Sequence, residues 1–345
     1  MAIKGLFNKG DYKDYIKTYN QLPKRSQQDD AWKYWLAYSY KETGQASKAK
    51  PLLEALIKEP LEYYSFLASD ELGKPYNFGN DDTDELSTSE AQKLLQEDTI
   101  QQAVDLYQIG QYKDSTSLWK YDIRKKLKAN EITQIKKLAK LAENNQMYYA
   151  AIFNMAVIGR YSNVDLLFPN AFADMIDPIA SKYSVDKNLV LSIMRKETLF
   201  DIEAGSYAGA KGLMQLTIPT AKFIAKKYRL SLISEGSIDQ QIFVPENNIK
   251  LGTANLNFLE VLFKKNLVLG IGAYNAGPGN VAKWLTKKEI PAKQWIESIP
   301  FGETRHYIRK VLVYMVVYNN FVFKDKKDKI SDFLDNKVSD KQSFR

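Results

Sequence analysis

The 345-residue chain has no cysteine and one histidine, His306. Disulfide frameworks, thiolate nucleophiles and thiolate or multi-histidine metal sites are thereby excluded within one chain, so no metal and no cofactor are expected. A Ser-His-Asp triad would have to use His306, which follows Arg305 at the start of an amphipathic stretch, where a surface or capping role fits better. Long apolar runs are also lacking. No stretch of about eighteen apolar residues occurs, so no membrane span is expected, and Met1 to Asp11 lack the basic start and apolar core of a signal peptide. A nucleotide-binding glycine loop is missing too. Gly270-Ile271-Gly272 is followed by Asn275 where the fingerprint needs its last glycine, and no strand or βαβ unit surrounds it.

Positive charge is what the chain has in excess. Forty-nine basic residues against 41 acidic ones leave a net +8, which favours polyanionic partners. The basic residues are dispersed, as in Lys222, Lys226, Lys227 and Arg229 or Lys324, Lys326, Lys327 and Lys329. Such runs read as solvated helix faces, and with no recognised binding motif around them nucleic acid is not expected as a partner.

The N-terminal half is periodic. Leu36, Ala37, Tyr40, Gly44 and Ala49 have the spacings of a tetratricopeptide-like helical hairpin, whose second helix continues through Leu52, Leu53 and Leu56 and ends by Pro60. Gly10-Asp11-Tyr12 takes the place of Gly44-Gln45-Ala46 at a separation of 44 − 10 = 34 residues, the period of that repeat. Gly110-Gln111-Tyr112 follows 110 − 44 = 66 residues on, close to two periods. The stretch from Gly73 to Ser89, with Asp81, Asp82, Asp84 and Glu85, reads as a loop interrupting the helical pairs. Repeats of this kind build curved arrays with a concave face.

In the C-terminal half, Val190, Ile193, Met194 and Glu197 fall at i, i+3, i+4 and i+7, so one carboxyl joins the apolar stripe of a helix. Desolvation there would raise its pKa and suit it to donating a proton near neutral pH. Taken alone, the position equally suits a helix-end glutamate turned towards Arg195 or Lys196. Three further blocks follow: Ser206-Tyr207-Ala208-Gly209-Ala210-Lys211-Gly212-Leu213-Met214-Gln215, then Ala273-Tyr274-Asn275-Ala276-Gly277-Pro278-Gly279, then Glu297-Ser298-Ile299-Pro300-Phe301-Gly302-Glu303-Thr304-Arg305.

In this order and spacing the four blocks resemble the catalytic domain of soluble lytic transglycosylases, bacterial enzymes that cleave peptidoglycan glycan strands. The resemblance implies a mainly α chain: an N-terminal helical-repeat superhelical arc over residues 1–165, then a lysozyme-like helical catalytic domain over 166–330. A polar tail over 331–345 is expected to fray. The boundary is expected between Asn163 and Pro169. Because only about 165 residues precede the catalytic part, an arc is expected in place of a closed ring.

The resemblance further implies Glu197 as the single catalytic acid/base, with substrate contacts from Ser206, Gln215, Tyr274 and Glu303. Ser206 and Gln215 offer short hydrogen-bonding groups for hydroxyl and acetamido groups, and Tyr274 offers a ring face and a phenol. Each also has an ordinary reading: a turn start for Ser206, a helix cap for Gln215, a core aromatic for Tyr274, an ion pair for Glu303. The chain departs from the family after Gln215, where Leu216-Thr217-Ile218-Pro219 lacks the methionine that many relatives place two residues beyond the glutamine, with proline directly after it.

Most glycosidases need two carboxylates. Asp201 and Glu203 lie near Glu197 in sequence, but nothing there fixes their distance. The family's reaction needs no second one, because the C6 hydroxyl of N-acetylmuramic acid attacks C1 and leaves a 1,6-anhydro sugar. A hydrolytic muramidase and a non-catalytic glycan-binding scaffold are the alternatives. The expected partner is the peptidoglycan strand, the expected state a monomer, and the expected location the periplasm, its export signal removed and Met1-Ala2 an added start.

Overall fold

The structure is a computed structural model that describes residues 11–79, 85–159, 163–232 and 236–343. Gly10 of the expected repeat and Asp81, Asp82 and Asp84 of the expected loop lie outside them. The described chain is mainly helical, as expected. Its one sheet is a pair of two-residue antiparallel strands, Ile290–Pro291 and Lys337–Val338, with Ile290 opposite Val338.

Chain reversals in the N-terminal half share one device. At Gly44 and Gly110 the backbone turns left-handed, with φ of 75° and 81°. The next amide, of Gln45 or Gln111, returns to the carbonyl of Tyr40 or Leu106 at 2.7 or 2.8 Å. Each bond closes its helix and satisfies a carbonyl that would otherwise lack a donor. Asn130 and Gln146 make the same turn without glycine, at φ of 59° and 58°. The glycine spacing read from sequence therefore marks the turns between Asp30–Glu42 and Ala46–Leu56 and between Asp98–Gln108 and Tyr112–Lys128.

Packing divides the chain into two compact units, and the division does not follow the boundary expected near residue 165. One unit is Gly79–Asn257; the other joins Met1–Phe78 to Phe258–Arg345. In the first, Ile100, Val104, Trp119, Ile123, Ile135, Leu138 and Met147 form a core between the helices of 98–157. Trp119 Nε1 donates to Asn154 Oδ1 at 2.9 Å, and Asn154 Nδ2 donates to the Ile135 carbonyl, so the polar groups buried in this core are paired. Lys126 is held at its edge by Glu97 at 2.6 Å and Asp122 at 2.9 Å.

In the second unit the Tyr63–Leu72 helix, buried on Tyr63, Tyr64, Phe66 and Leu67, packs against the long Gly302–Val317 helix. Residues from both ends of the chain thus share a core. The expected fraying of the tail is overturned for residues 331–343. Leu334 and Val338 are buried, as is Ile330 just before them; the Ile330 amide donates to the Tyr76 hydroxyl and the Ser331 amide to Asp70. Three apolar anchors in a polar stretch suffice to dock it, and composition alone hides them.

Candidate active site

Glu197 lies in the last turn of the Lys187–Thr198 helix. Asp186 starts this helix by accepting the Asn188 amide at 2.8 Å, and Leu189, Val190, Leu191, Ile193 and Met194 are buried along it. Glu197 is half-buried, between the buried Met194 stripe and solvent. The helix ends abruptly because Leu199 and Phe200 are both left-handed, at φ of 54° and 67°. Of the neighbouring cations, Arg195 donates from Nε to the Leu167 carbonyl at 2.6 Å and lays its guanidinium 3.9 Å from the Phe168 ring centre. Thr198 donates to the Leu213 carbonyl at 3.0 Å, which ties the end carrying Glu197 to the glycine-rich block.

That block is a tight loop whose conformation its own residues set. Lys211 bridges both Gly205 and Leu216, the Gly212 amide donates to Ala204 at 2.8 Å, and Gly209 and Gly212 adopt φ of 79° and 71°. Ser206 turns it: its carbonyl accepts from the Gly209 amide and its hydroxyl from the Ala210 amide, each at 3.0 Å. Gln215, left-handed at φ 46°, donates its amide group to the Ala204 and Gly212 carbonyls, both at 3.0 Å. Both side chains therefore shape the loop. Ser206 is nevertheless exposed and Gln215 half-exposed.

The support beneath the loop leaves little mark on the sequence. Asn248, 1 % exposed within the Pro245–Leu262 helix, accepts the Met214 amide at 2.8 Å and donates to the Ile242 and Lys211 carbonyls. Four residues on, Gly252 leaves room for the Met214 side chain; a Cβ there would collide with it. The available signal was an asparagine and a glycine in a helix interior, where neither is favoured without a packing or bonding reason. At Gly212 a Cβ would stand 2.9 Å from the Ile242 carbonyl and against the Asn248 amide, which is itself held. Gly212→Ala is thus expected to cost about 2 kcal/mol from the left-handed backbone and the collision together. Thermal denaturation checks it, and an unchanged midpoint would mean that the loop yields.

Asp201 and Glu203 follow in the same loop. The Asp201 carboxyl accepts the Glu203 amide at 3.2 Å, and burial pushes it above the usual aspartate range. Among the described residues no group of three or more acidic or histidine side chains is placed to hold a metal ion.

Tyr274 and Glu303 belong to the other compact unit. Tyr274 is half-buried near the end of the Leu267–Ala276 helix, next to Asn275, whose Oδ1 accepts the Thr304 hydroxyl at 2.7 Å. That bond joins the third block to the fourth. Gly277, at φ 81° and ψ 147°, redirects the chain so that Pro278 opens the next helix. Glu303 is exposed in the first turn of Gly302–Val317. His306 is exposed one turn further on, in keeping with a surface role. Arg305 turns back to donate to the Ile299 carbonyl at 2.5 Å, closing the turn through Pro300.

Behind this turn lies a buried charge cluster. Glu297, 7 % exposed, pairs with Arg309 and accepts the Tyr64 hydroxyl at 2.8 Å. The Arg309 guanidinium also lies 5.0 Å from the Tyr64 ring centre and 5.8 Å from that of Tyr63. Burial first and Glu297 second push the Tyr64 hydroxyl far up, so it stays a donor at every physiological pH.

Residues 174–296 match the family model described as the transglycosylase SLT domain, a span that holds Glu197, Ser206, Gln215 and Tyr274. Residues 298–326, which hold Glu303, match that of the soluble lytic transglycosylase helical domain. The soluble lytic murein transglycosylase of Escherichia coli is 29% identical over 305 residues, 88% of this chain and 45% of that one. Among solved structures, the 70 kDa soluble lytic transglycosylase of Escherichia coli aligns with a TM-score of 0.84 and 27% identity over 99% of this chain and 53% of the other. An inactive glutamate-to-glutamine mutant of the lytic transglycosylase Slt from Pseudomonas aeruginosa aligns with a TM-score of 0.82 and 29% identity over 98% and 53%. The chain spans about half the length of the curated relatives it matches. Motif order, family models and fold agree, and the chain is similar to the soluble lytic transglycosylases.

Proposed function

We propose that this protein is a peptidoglycan lytic transglycosylase that cleaves the β-1,4 bond between N-acetylmuramic acid and N-acetylglucosamine, with Glu197 as its one acid/base. The observation that carries the reading is the joining of a half-buried carboxyl at a helix end to the glycine-rich loop through Thr198 and Leu213. A loop so shaped brings backbone close to a bound sugar, and the relative crystallised as an inactive mutant carries a glutamate-to-glutamine change.

In the proposed reaction Glu197 gives its proton to the departing O4 of N-acetylglucosamine as the bond to C1 of N-acetylmuramic acid breaks. The resulting carboxylate takes the proton of the C6 hydroxyl as that oxygen bonds to C1. Atoms balance without water, and the carboxyl is regenerated. A nucleophile within the same sugar gains the entropic advantage of proximity. Ser206, Gln215, Tyr274 and Glu303 are assigned to substrate contact, with residues 166–330 carrying the chemistry and 1–165 a helical arc that handles long strands. The proposed location is the periplasm, and the proposed state a monomer acting on glycan strands. No described helix is long and apolar enough to cross a membrane.

The runner-up is a muramidase, favoured only by the nearness in sequence of Asp201, a carboxylate whose pKa burial raises. Digestion of purified peptidoglycan in ¹⁸O-labelled water separates the two. The expected products end in 1,6-anhydro-N-acetylmuramic acid, unlabelled and lighter than the reducing sugar by one water. Labelled reducing ends as the main product would assign the muramidase reaction and make Asp201 the first residue to mutate.

A further inference from the structure

Glu297 stands at the hinge of the fourth block. It ends one arm, the Ala292–Ser298 helix, while its partner Arg309 lies two turns into the other arm, Gly302–Val317. Between them, Ile299-Pro300-Phe301 make the turn that Arg305 closes. A Glu297–Arg309 ion pair therefore spans the two arms beside the turn that Arg305 closes. The second arm also carries Glu303 and Thr304, and the Thr304 hydroxyl bonds Asn275, the neighbour of Tyr274.

The pair is also anchored from a distant part of the chain. Tyr64, 233 residues earlier, donates its hydroxyl to the second oxygen of Glu297. Lys310, the residue after Arg309, reaches the same N-terminal segment through Glu62 at 2.7 Å. Two bonds thus fix the start of the Tyr63–Leu72 helix to the arms that carry the fourth block. A buried pair of this kind is poor evidence of net stabilisation, since apolar residues of like volume serve as well. Its distinguishing property is direction: each carboxylate oxygen has one partner, so the groups hold a single arrangement.

We propose that Glu297 is a positioning residue for the substrate contacts of Tyr274 and Glu303, and that Tyr64 places an N-terminal helix in direct control of that geometry. The inference rests on the transglycosylase reading and deepens it. The N-terminal helices then do more than handle long strands. They tune the site for substrates too short to touch them.

The test uses the full chain and a short peptide-free glycan. Tyr64→Phe removes one hydroxyl and leaves the ring over Arg309; Glu297→Gln keeps volume but removes the charge; Glu297→Asp keeps the charge on a shorter arm. Loss of positioning is expected to raise KM by about five- to tenfold in Glu297→Gln and about threefold in Tyr64→Phe, with partial rescue in Glu297→Asp, small misplacements being costly at such sites. A purely structural role would lower the folded fraction, and hence apparent kcat, while leaving KM alone. Unchanged KM in both Tyr64→Phe and Glu297→Gln, whatever happens to their melting temperatures, overturns the proposal. If Glu297→Gln does not fold, Tyr64→Phe decides alone. Direct titration of the glycan into Glu197→Gln proteins with and without Tyr64→Phe keeps the question separate from catalysis: a weaker Kd in the double variant supports positioning even if wild-type protein forms no anhydro product, and an equal Kd refutes it.

Discussion

Glu197→Gln is expected to reduce release of anhydro-muropeptides from sacculi by about 10² to 10⁴, the usual cost of removing a general acid/base. Glutamine matches glutamate in volume and still accepts and donates hydrogen bonds, but it cannot deliver a proton. The position is half-buried at a helix terminus, with the apolar stripe of Val190, Ile193 and Met194 beneath it unaltered by the change. Folding should therefore survive, and thermal melting of the variant should track the wild type. The measurement is product release under matched protein concentration, alongside the melt. Wild-type rates from a folded Glu197→Gln protein would sink the acid/base assignment and return Glu197 to the ordinary reading of a helix-end glutamate.

A fragment restricted to residues 163–323, which holds every block of the proposed site, is expected not to fold cooperatively. Such a cut follows the boundary expected from sequence, whereas the packing does not. It strips the Tyr63–Leu72 helix from Gly302–Val317, and it removes Ile330, Leu334 and Val338 with the strand that pairs with Ile290. Tyr34, Tyr64, Phe66, Ile330 and Val338 are all buried in the intact unit, and each contributes about 1.5–3 kcal/mol by burial. Their sum is on the order of 10 kcal/mol, comparable with the whole stability of an ordinary domain. Glu297 would in addition lose the Tyr64 hydroxyl and Arg309 the Tyr64 ring. Circular dichroism with temperature would show a broad, non-cooperative loss of signal. A sharp transition within about 5 °C of the full chain would mean instead that the 163–323 part packs by itself.

Some of these features are legible in the chain and others are not. Helical pairs were legible because each reversal needs a left-handed residue, and Gly44 and Gly110 carry that requirement on the surface of the sequence. Asn130 and Gln146 perform the same turn without the flag, so only part of the repeat showed. Glu197 was legible through the 3.6-residue period of its apolar neighbours. Asn248, which supports the glycine-rich loop from below, was not, because one buried amide reading three backbone groups leaves no periodic trace. Nor does any local pattern announce that Tyr64 meets Glu297. The contact spans 233 residues and is a matter of packing between elements that short-range propensity does not address. Composition misled at the C-terminus, where the average over residues 331–345 is polar while the anchors that dock it are single side chains.

The sharing of one core by both ends of the chain has a consequence in time. Residues 79–257 form a contiguous unit, so every contact within it becomes available before the ribosome has finished the chain. The other unit must wait: Tyr76 cannot meet the Ile330 amide until a further 254 residues have been made. The Tyr63–Leu72 helix, which carries Phe66, is thus made early and completes its packing late. Until then its aromatic face lacks the Gly302–Val317 helix against which it finally packs. Loop closure over such separations is slow relative to local helix pairing. Maturation of this protein should accordingly have two phases, an early one that builds the floor beneath Glu197 and a late one that sets Tyr274 and Glu303. Pulsed hydrogen exchange during refolding would resolve them, with amides of 98–157 protected well before those of 302–317.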